Sequence, residues 1–322
     1  MKRIFNLLLG AMLLTLNAQC CPDDPVYAMN AQSSNSDDTG GGLYYPQKPE
    51  KPADTKDGYA PEGYSLVWND EFNDKSSLSR EWYFEKGGTG WGNNELQYYC
   101  LNGVYTPTGQ ETARIAGGSL LITAYKVEPS AASDNREYVS TRMNTNKSWK
   151  YGYIEMRAKL PAVKGTWPAF WMLSKDGNYD VSKGGGELDI VEWVGNEPDK
   201  AWFSSHCQHV TTGSNEQYTD PVTGKKYGHT ASIDIEDAGT EFHCFGMEWT
   251  HEYIKAFLDG VQYYYAPNPK PGENDIYWWP FDKEYYIKLN LAIGGGWGGE
   301  VAPNFTSATY EIDWVRVYQK TE

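Results

Sequence analysis

Positive charge is in short supply: 28 Lys and Arg stand against 43 Asp and Glu in 322 residues, a formal net charge of −15. A nucleic-acid partner is excluded, because that backbone calls for a basic surface. Long apolar runs are missing as well. One short run, Leu7 to Leu16, stops well before the roughly 18 residues of a spanning helix, and no later stretch comes closer. No stretch with a sustained helical period stands out, and no internal repeat, so helical bundles and solenoids are excluded. Cysteine is sparse. Beyond Cys20 and Cys21 there remain Cys100, Cys207 and Cys244, an odd number with no short metal-cage spacing. One disulfide with a free thiol, or three buried inert thiols, are the alternatives.

What is present is aromatic: 13 Trp, 25 Tyr and 10 Phe, or 15% of the chain. That exceeds the needs of a core this size and suggests surfaces that meet flat apolar ligand faces, such as those of sugar rings. With 40% apolar and 22% charged residues, a sizeable core is affordable and wholesale disorder is not expected. Gly 33 and Pro 17 favour turns and hence β architecture.

The first residues have the form of an export signal. Met1-Lys2-Arg3 is the positive end and Leu7–Leu16 the apolar region. A cysteine directly after that region resembles the lipid-attachment site of a bacterial lipoprotein, although Gln19 stands where a small residue is usual. Cleavage after Ala18 is the alternative. Asp23-Asp24 resembles a surface-export signal of such lipoproteins. Residues 1–20 are therefore expected to be a signal peptide of lipoprotein type. Residues 21–60, rich in Ser, Asn, Asp, Gly, Pro and Lys, are expected to form a flexible tether, and 61–322 the functional domain. The expected location is the outer-membrane surface, by a lipid anchor, or else the periplasm or medium. A monomer is expected.

From Tyr64 onward, short runs rich in Val, Ile, Tyr, Phe and Trp alternate with turn residues. Residues 119–124, 152–158, 253–258 and 311–318 read as half-buried strands, and Asp259-Gly260 as a hairpin turn. The expected fold is all-β: one antiparallel β-sandwich of jelly-roll type. Its last strand ends almost at the final residue, so no C-terminal appendage is expected.

The informative run is Gly186-Glu187-Leu188-Asp189-Ile190-Val191-Glu192-Trp193. In a strand, Glu187 and Asp189 share a face and Glu192 opposes them. A bulge at Ile190-Val191 would return Glu192 to the first face. Three carboxylates so close cannot all ionise freely. One raised pKa supplies a proton donor beside an anionic nucleophile, and such a pair suits retaining glycoside hydrolysis. Glu187 would attack, Glu192 would serve as acid and then base, and Asp189 would hold Glu187. A solvated acidic face and a divalent-metal cluster are the competing readings; the apolar residues between the acids argue against the first.

This run resembles the bulged catalytic signature of glycoside hydrolase family sixteen, the laminarinase, agarase and carrageenase group. Leu66–Phe72, Trp91–Tyr99, Lys159–Pro161 with Trp167–Leu173, Asn290–Gly295 and Asp313–Tyr318 resemble further blocks of that family in the same order, over about residues 64 to 319. The resemblance implies a jelly roll with a concave cleft, retaining chemistry, and the roles just given to Glu187, Asp189 and Glu192.

It also implies who holds the sugar. Trp167 and Trp171 are platforms by family position, one of the two expected in the core. Trp297, in a glycine-rich loop, and Trp91 read as exposed platforms. Asn93 and Asn94 are hydroxyl readers or turn caps. Arg142 resembles a sugar-contacting arginine, with a plain salt bridge as the alternative. His206 is expected to touch the leaving-group sugar or tune Glu192. No cofactor is needed for catalysis. The family's structural calcium maps to Glu71, Gly118 and Asp313. Long polar loops after Met172 and from Gly213 to Thr240, and the aromatic Ile276–Pro280, depart from a compact laminarinase. The expected substrate is a β-1,3- or mixed β-1,3/1,4-glucan. The alternatives are endo-β-galactosidase action on galactans or mucin lactosamine chains, transglycosylation, or a glycan-binding protein without catalysis.

Overall fold

Strand-forming runs of period two, punctuated by glycine turns, build two large sheets that share one core. The computed structural model describes residues 57–178, 180–208, 218–219, 226–227 and 229–321. The expected signal peptide, the lipid-attachment cysteines and most of the tether lie outside the described residues, as does part of the polar segment Gly213–Thr240.

The back sheet has ten strands. Its spine is Gly152–Lys159 beside the long final strand Ser307–Lys320, with Ser119–Lys126, His243–Trp249, Tyr253–Leu258 and Val261–Pro267 around them. The site sheet has seven strands, in the order Thr230–Asp234, Lys200–His206, Glu187–Glu192, Thr166–Ser174, Tyr285–Ile293, Arg142–Thr145 and Trp82–Phe84. Pairing in both sheets is antiparallel apart from the short parallel contact of Gln97–Tyr99 with Tyr138–Ser140. Helix is confined to single turns, such as Gly295–Gly298. Inward-facing Ile154, Met156, Val315 and Val317 of the back sheet join Phe170, Met172, Leu188 and Leu289 of the site sheet in one buried cluster, the packing expected of stacked sheets.

The four strands expected from the sequence all form, each within a few residues of the expected ends. The Asp259-Gly260 turn joins Tyr253–Leu258 to Val261–Pro267 with positive φ at both residues, 48° and 76°. That is the backbone a two-residue hairpin demands, and the reason Asp-Gly serves there. Cys100, Cys207 and Cys244 are all buried as thiols, and none is in a disulfide.

Candidate active site

The site is built by cross-strand rows on the face of the seven-stranded sheet turned away from the core. Directly paired residues share a face. One row runs Tyr83, Asn144, Lys288, Trp171, Asp189, Ser204 and Thr230. A second runs Arg142, Asn290, Ala169, Glu192 and Trp202. A third runs Tyr286, Leu173, Glu187 and His206.

Glu192 reaches this face because the strand bulges where its sequence suggests. Val191 pairs with Phe170 and Asp189 with Trp171, so Ile190 has no partner of its own. The other neighbour shows the same break between Asp189 and Glu192. Leu188, Ile190 and Val191 all enter the core, and the three acids are left together on the open face.

Their environment is short of countercharge. Glu187 and Asp189 share a hydrogen bond, which two carboxyls can make only with a proton between them. Burial, then the charge of Asp189, pushes Glu187 up to about 8. Burial, then the charges of Asp189 and Glu187, raises Glu192 well above the usual carboxylate range. The indole of Trp167 donates to Glu192 Oε1 at 3.0 Å. His206 Nε2 lies 3.0 Å from Asp189 Oδ2, so this histidine meets the middle acid, and its charge also acts on Glu192, lowering it against the effect of burial. Behind it stands His229, its ring 5.5 Å from that of His206. Burial, then the charge of His206, pushes His229 down to about 3.

The aromatic candidates divide in two. Trp167 and Trp171 both lie on the site-facing side of the strand; Trp167 is buried in a small cluster with Val194 and Ala292, as expected for one of the two, while Trp171 is half-buried, and residues 167, 169 and 171 keep a regular pleat through Pro168. Trp297 is not an open platform. It is half-buried and meets Trp167 and Trp202 edge-on, with ring centroids at 5.6 and 5.8 Å. The glycine loop folds back onto tryptophans that rise from the sheet. Trp91 is half-buried too, its indole bonded to the Gly87 carbonyl at 3.1 Å. Asn93 fixes the same loop through its carbonyl, which accepts from Gly296 N at 2.7 Å, while Asn94 is exposed with φ at 57°.

Of the two readings made for Arg142, the structure shows the salt bridge. Arg142 pairs with Glu85, and its guanidinium lies 4.7 Å from the Trp91 ring centroid and 4.9 Å from that of Trp171. The same Glu85 holds Lys288 at 3.0 Å. Sequence reasoning missed this layer: Glu85, Asn144 and Lys288, and behind Trp171 the chain Asn290, Tyr99, Glu95 and Gln97. One signal was available. In Tyr285–Ile293, residues 286, 288 and 290 put Tyr, Lys and Asn on one face against Ile, Leu and Leu on the other.

At the expected calcium donors, both carboxylates have a guanidinium partner. Both oxygens of Glu71 accept from Arg316, at 2.8 and 2.9 Å, and Asp313 accepts from Arg157 at 2.5 Å. Each carboxylate is neutralised by a guanidinium, so the pair offers a cation no uncompensated charge. Among the described residues, the trio of acids and histidine close enough to hold an ion is Glu187, Asp189 and His206, with ligand atoms within 4.8 Å of one another. There Asp189 already bridges the other two.

Comparison with known proteins agrees with this architecture. Residues 102–316 match the model of glycosyl hydrolases family 16. A β-glucanase of Rhodothermus marinus is 40% identical over 269 residues, covering 80% of this chain and 86% of that protein. A glucan endo-1,3-β-glucosidase of Cryptopygus antarcticus is 33% identical, covering 80% and 93%. The solved laminarinase of Rhodothermus marinus superposes with a TM-score of 0.67 at 37% identity, covering 80% of this chain and 98% of that one. On this evidence of sequence and fold, the chain belongs to glycosyl hydrolase family 16.

Proposed function

We propose that the protein is an endo-acting, retaining β-glycosidase that cuts internal linkages of a β-1,3- or mixed β-1,3/1,4-glucan. The observation that carries the chemistry is the bulged strand, which sets Glu187, Asp189 and Glu192 on one open face, where burial and mutual charge raise both Glu187 and Glu192. Relatives of the same length that act on β-glucan support the substrate.

Glu192, kept protonated by burial and by the charges of Asp189 and Glu187, is the proton donor. It gives its proton to the glycosidic oxygen as the bond from that oxygen to the anomeric carbon breaks. Glu187 forms the new bond to the anomeric carbon from the opposite face, giving a covalent glycosyl-enzyme. Glu192, now ionised, takes a proton from water, and the water oxygen displaces Glu187. Configuration is retained after two inversions. Asp189 takes up the shared proton and the contact with His206, so Glu187 can release its proton without leaving its rotamer. Trp167 keeps Glu192 aimed through its indole N–H. Trp171, Arg142 and Trp91 form the wall on one side of the bond to be cut, and His206 lies on the other.

The test is product analysis. The domain, residues 57–322, is incubated separately with laminarin, cereal mixed-linkage glucan, agar-type galactan and mucin glycans, and the products are identified by mass spectrometry. Glucan oligosaccharides of several lengths, formed with retained configuration, are the expected result. Products from galactan or mucin alone would move the substrate to the galactosidase alternative, and intact polymer throughout would overturn the enzyme reading. The tether, export signal and lipid anchor belong to the same proposal; labelling with a radioactive fatty acid, lost on Cys20→Ala, tests the anchor.

A further inference from the structure

The layer under the Arg142 wall contains a charge that the chemistry above does not use. Lys288 sits in the site-facing row between Trp171 and Asn144 and is 1% exposed. Its ammonium meets Glu85 Oε1 at 3.0 Å and Asn144 Oδ1 at 2.5 Å, and lies 5.1 Å from the Trp171 ring centroid. Burying an ammonium is costly, and an apolar side chain of similar volume would pack a sheet face at less expense. The geometry shows what the charge does there. Glu85 has two oxygens. Oε1 is taken by Lys288, and only Oε2 is left for Arg142, which meets it through Nε. Arginine otherwise takes a carboxylate with two parallel bonds. Held at one point, the guanidinium lies within 5 Å of the ring centroids of both Trp91 and Trp171, at 4.7 and 4.9 Å.

We propose that Lys288 and Glu85 are positioning residues: by sharing one carboxylate they fix Arg142 between the two tryptophans, and so set the affinity for sugars on the Arg142 side of the cleft. This rests on the glycan-hydrolase reading, since it assigns the wall a sugar to hold. Neither residue takes part in bond making or breaking. Their loss therefore raises KM and leaves kcat largely in place.

The experiment measures kcat and KM on laminarin, with thermal unfolding, for Lys288→Met, Lys288→Arg, Glu85→Gln, Arg142→Ala and the double variant Lys288→Met/Arg142→Ala. Lys288→Met and Glu85→Gln each raise KM about tenfold, as expected when a binding group is misplaced by an ångström or so. The double variant is no worse than Arg142→Ala alone, because both changes remove the same contact. Lys288→Arg, which keeps the charge, recovers part of the loss. An unchanged KM in Glu85→Gln, or losses that multiply in the double variant, would overturn the assignment. If Lys288→Met does not fold, Glu85→Gln carries the same readout. Glu187→Gln, run in parallel, separates the failures. If it is inactive while Glu85→Gln matches the parent, only the positioning role falls. If it keeps turnover, the hydrolase reading falls with it.

Discussion

The two sheets carry acids in opposite ways. On the back sheet, acids are spaced apart and most have their own cation: Glu71 with Arg316, Asp313 with Arg157, Glu248 with Lys255. For Glu71 and Glu248, burial raises the pKa, but hydrogen bonds and the neighbouring cation more than offset it, and both end low. On the site sheet three acids share one face, the nearest cations are a strand or more away, and Glu187 and Glu192 end high. The same residue types on the same kind of strand thus become stabilising ion pairs or reactive groups. Which they become depends on whether the paired strand brings an arginine or another acid.

The largest expected effect breaks the site half of that contrast. Glu187→Gln or Glu192→Gln lowers kcat in steady-state assays by about 10³-fold or more, the scale of a lost nucleophile or general acid, and in thermal unfolding neither lowers the melting temperature, because each relieves crowding. A variant with near-native turnover would refute its role. The back-sheet counterpart has the opposite sign. Asp313→Asn leaves Arg157, 3% exposed, without its carboxylate, and is expected to cost about 2 kcal/mol in denaturant unfolding while kcat is kept.

Glu155 sharpens the comparison: its cross-strand partner Arg316 is bonded to Glu71, and burial outweighs that cation's charge. Glu155 is fully buried, bonded to Tyr59 N and the Tyr153 hydroxyl, and burial pushes it from 4.5 up to about 7. A carboxyl raised in the folded state favours folding below its unfolded pKa, and that advantage is lost as pH rises through the folded value. Stability should therefore fall between pH 4.5 and 7, by at most about 3 kcal/mol from this group. Glu155→Gln should flatten that part of the melting-temperature profile; an unchanged slope would discount the group. The smallest effect is that of Trp297→Ala. It removes the edge contacts to Trp167 and Trp202 and should cost about 1 kcal/mol of stability, with a modest fall in kcat as Trp167 loosens its hold on Glu192.

Much of this was legible because it is local. Strand alternation, the Asp259-Gly260 turn and the two apolar residues between Asp189 and Glu192 each follow from a few consecutive residues, and all form as read. What was not legible comes from strands distant in the chain. Lys288, Glu85 and Asn144 meet across three strands, and nothing near any one of them names the others. The partners of the two carboxylates expected to hold calcium were hidden for the same reason: Arg157 and Arg316 reach Asp313 and Glu71 through pairings that spacing does not reveal. Trp297 was misplaced because glycine-rich sequence says only that a loop bends, not that Trp167 and Trp202 stand beneath it.

The unpaired Ile190 carries one more consequence. Deleting it would leave Asp189 opposite Trp171, Val191 opposite Phe170 and Glu192 opposite Ala169, the partners each has now. All three acids and all their neighbours would survive, on a strand that is merely straight. What would change is aim: a bulge bends and twists the strand that contains it. Two chains can therefore agree at each acid and each contact and still differ as a working catalyst does from an inert scaffold, by a single residue counted against the strand next door.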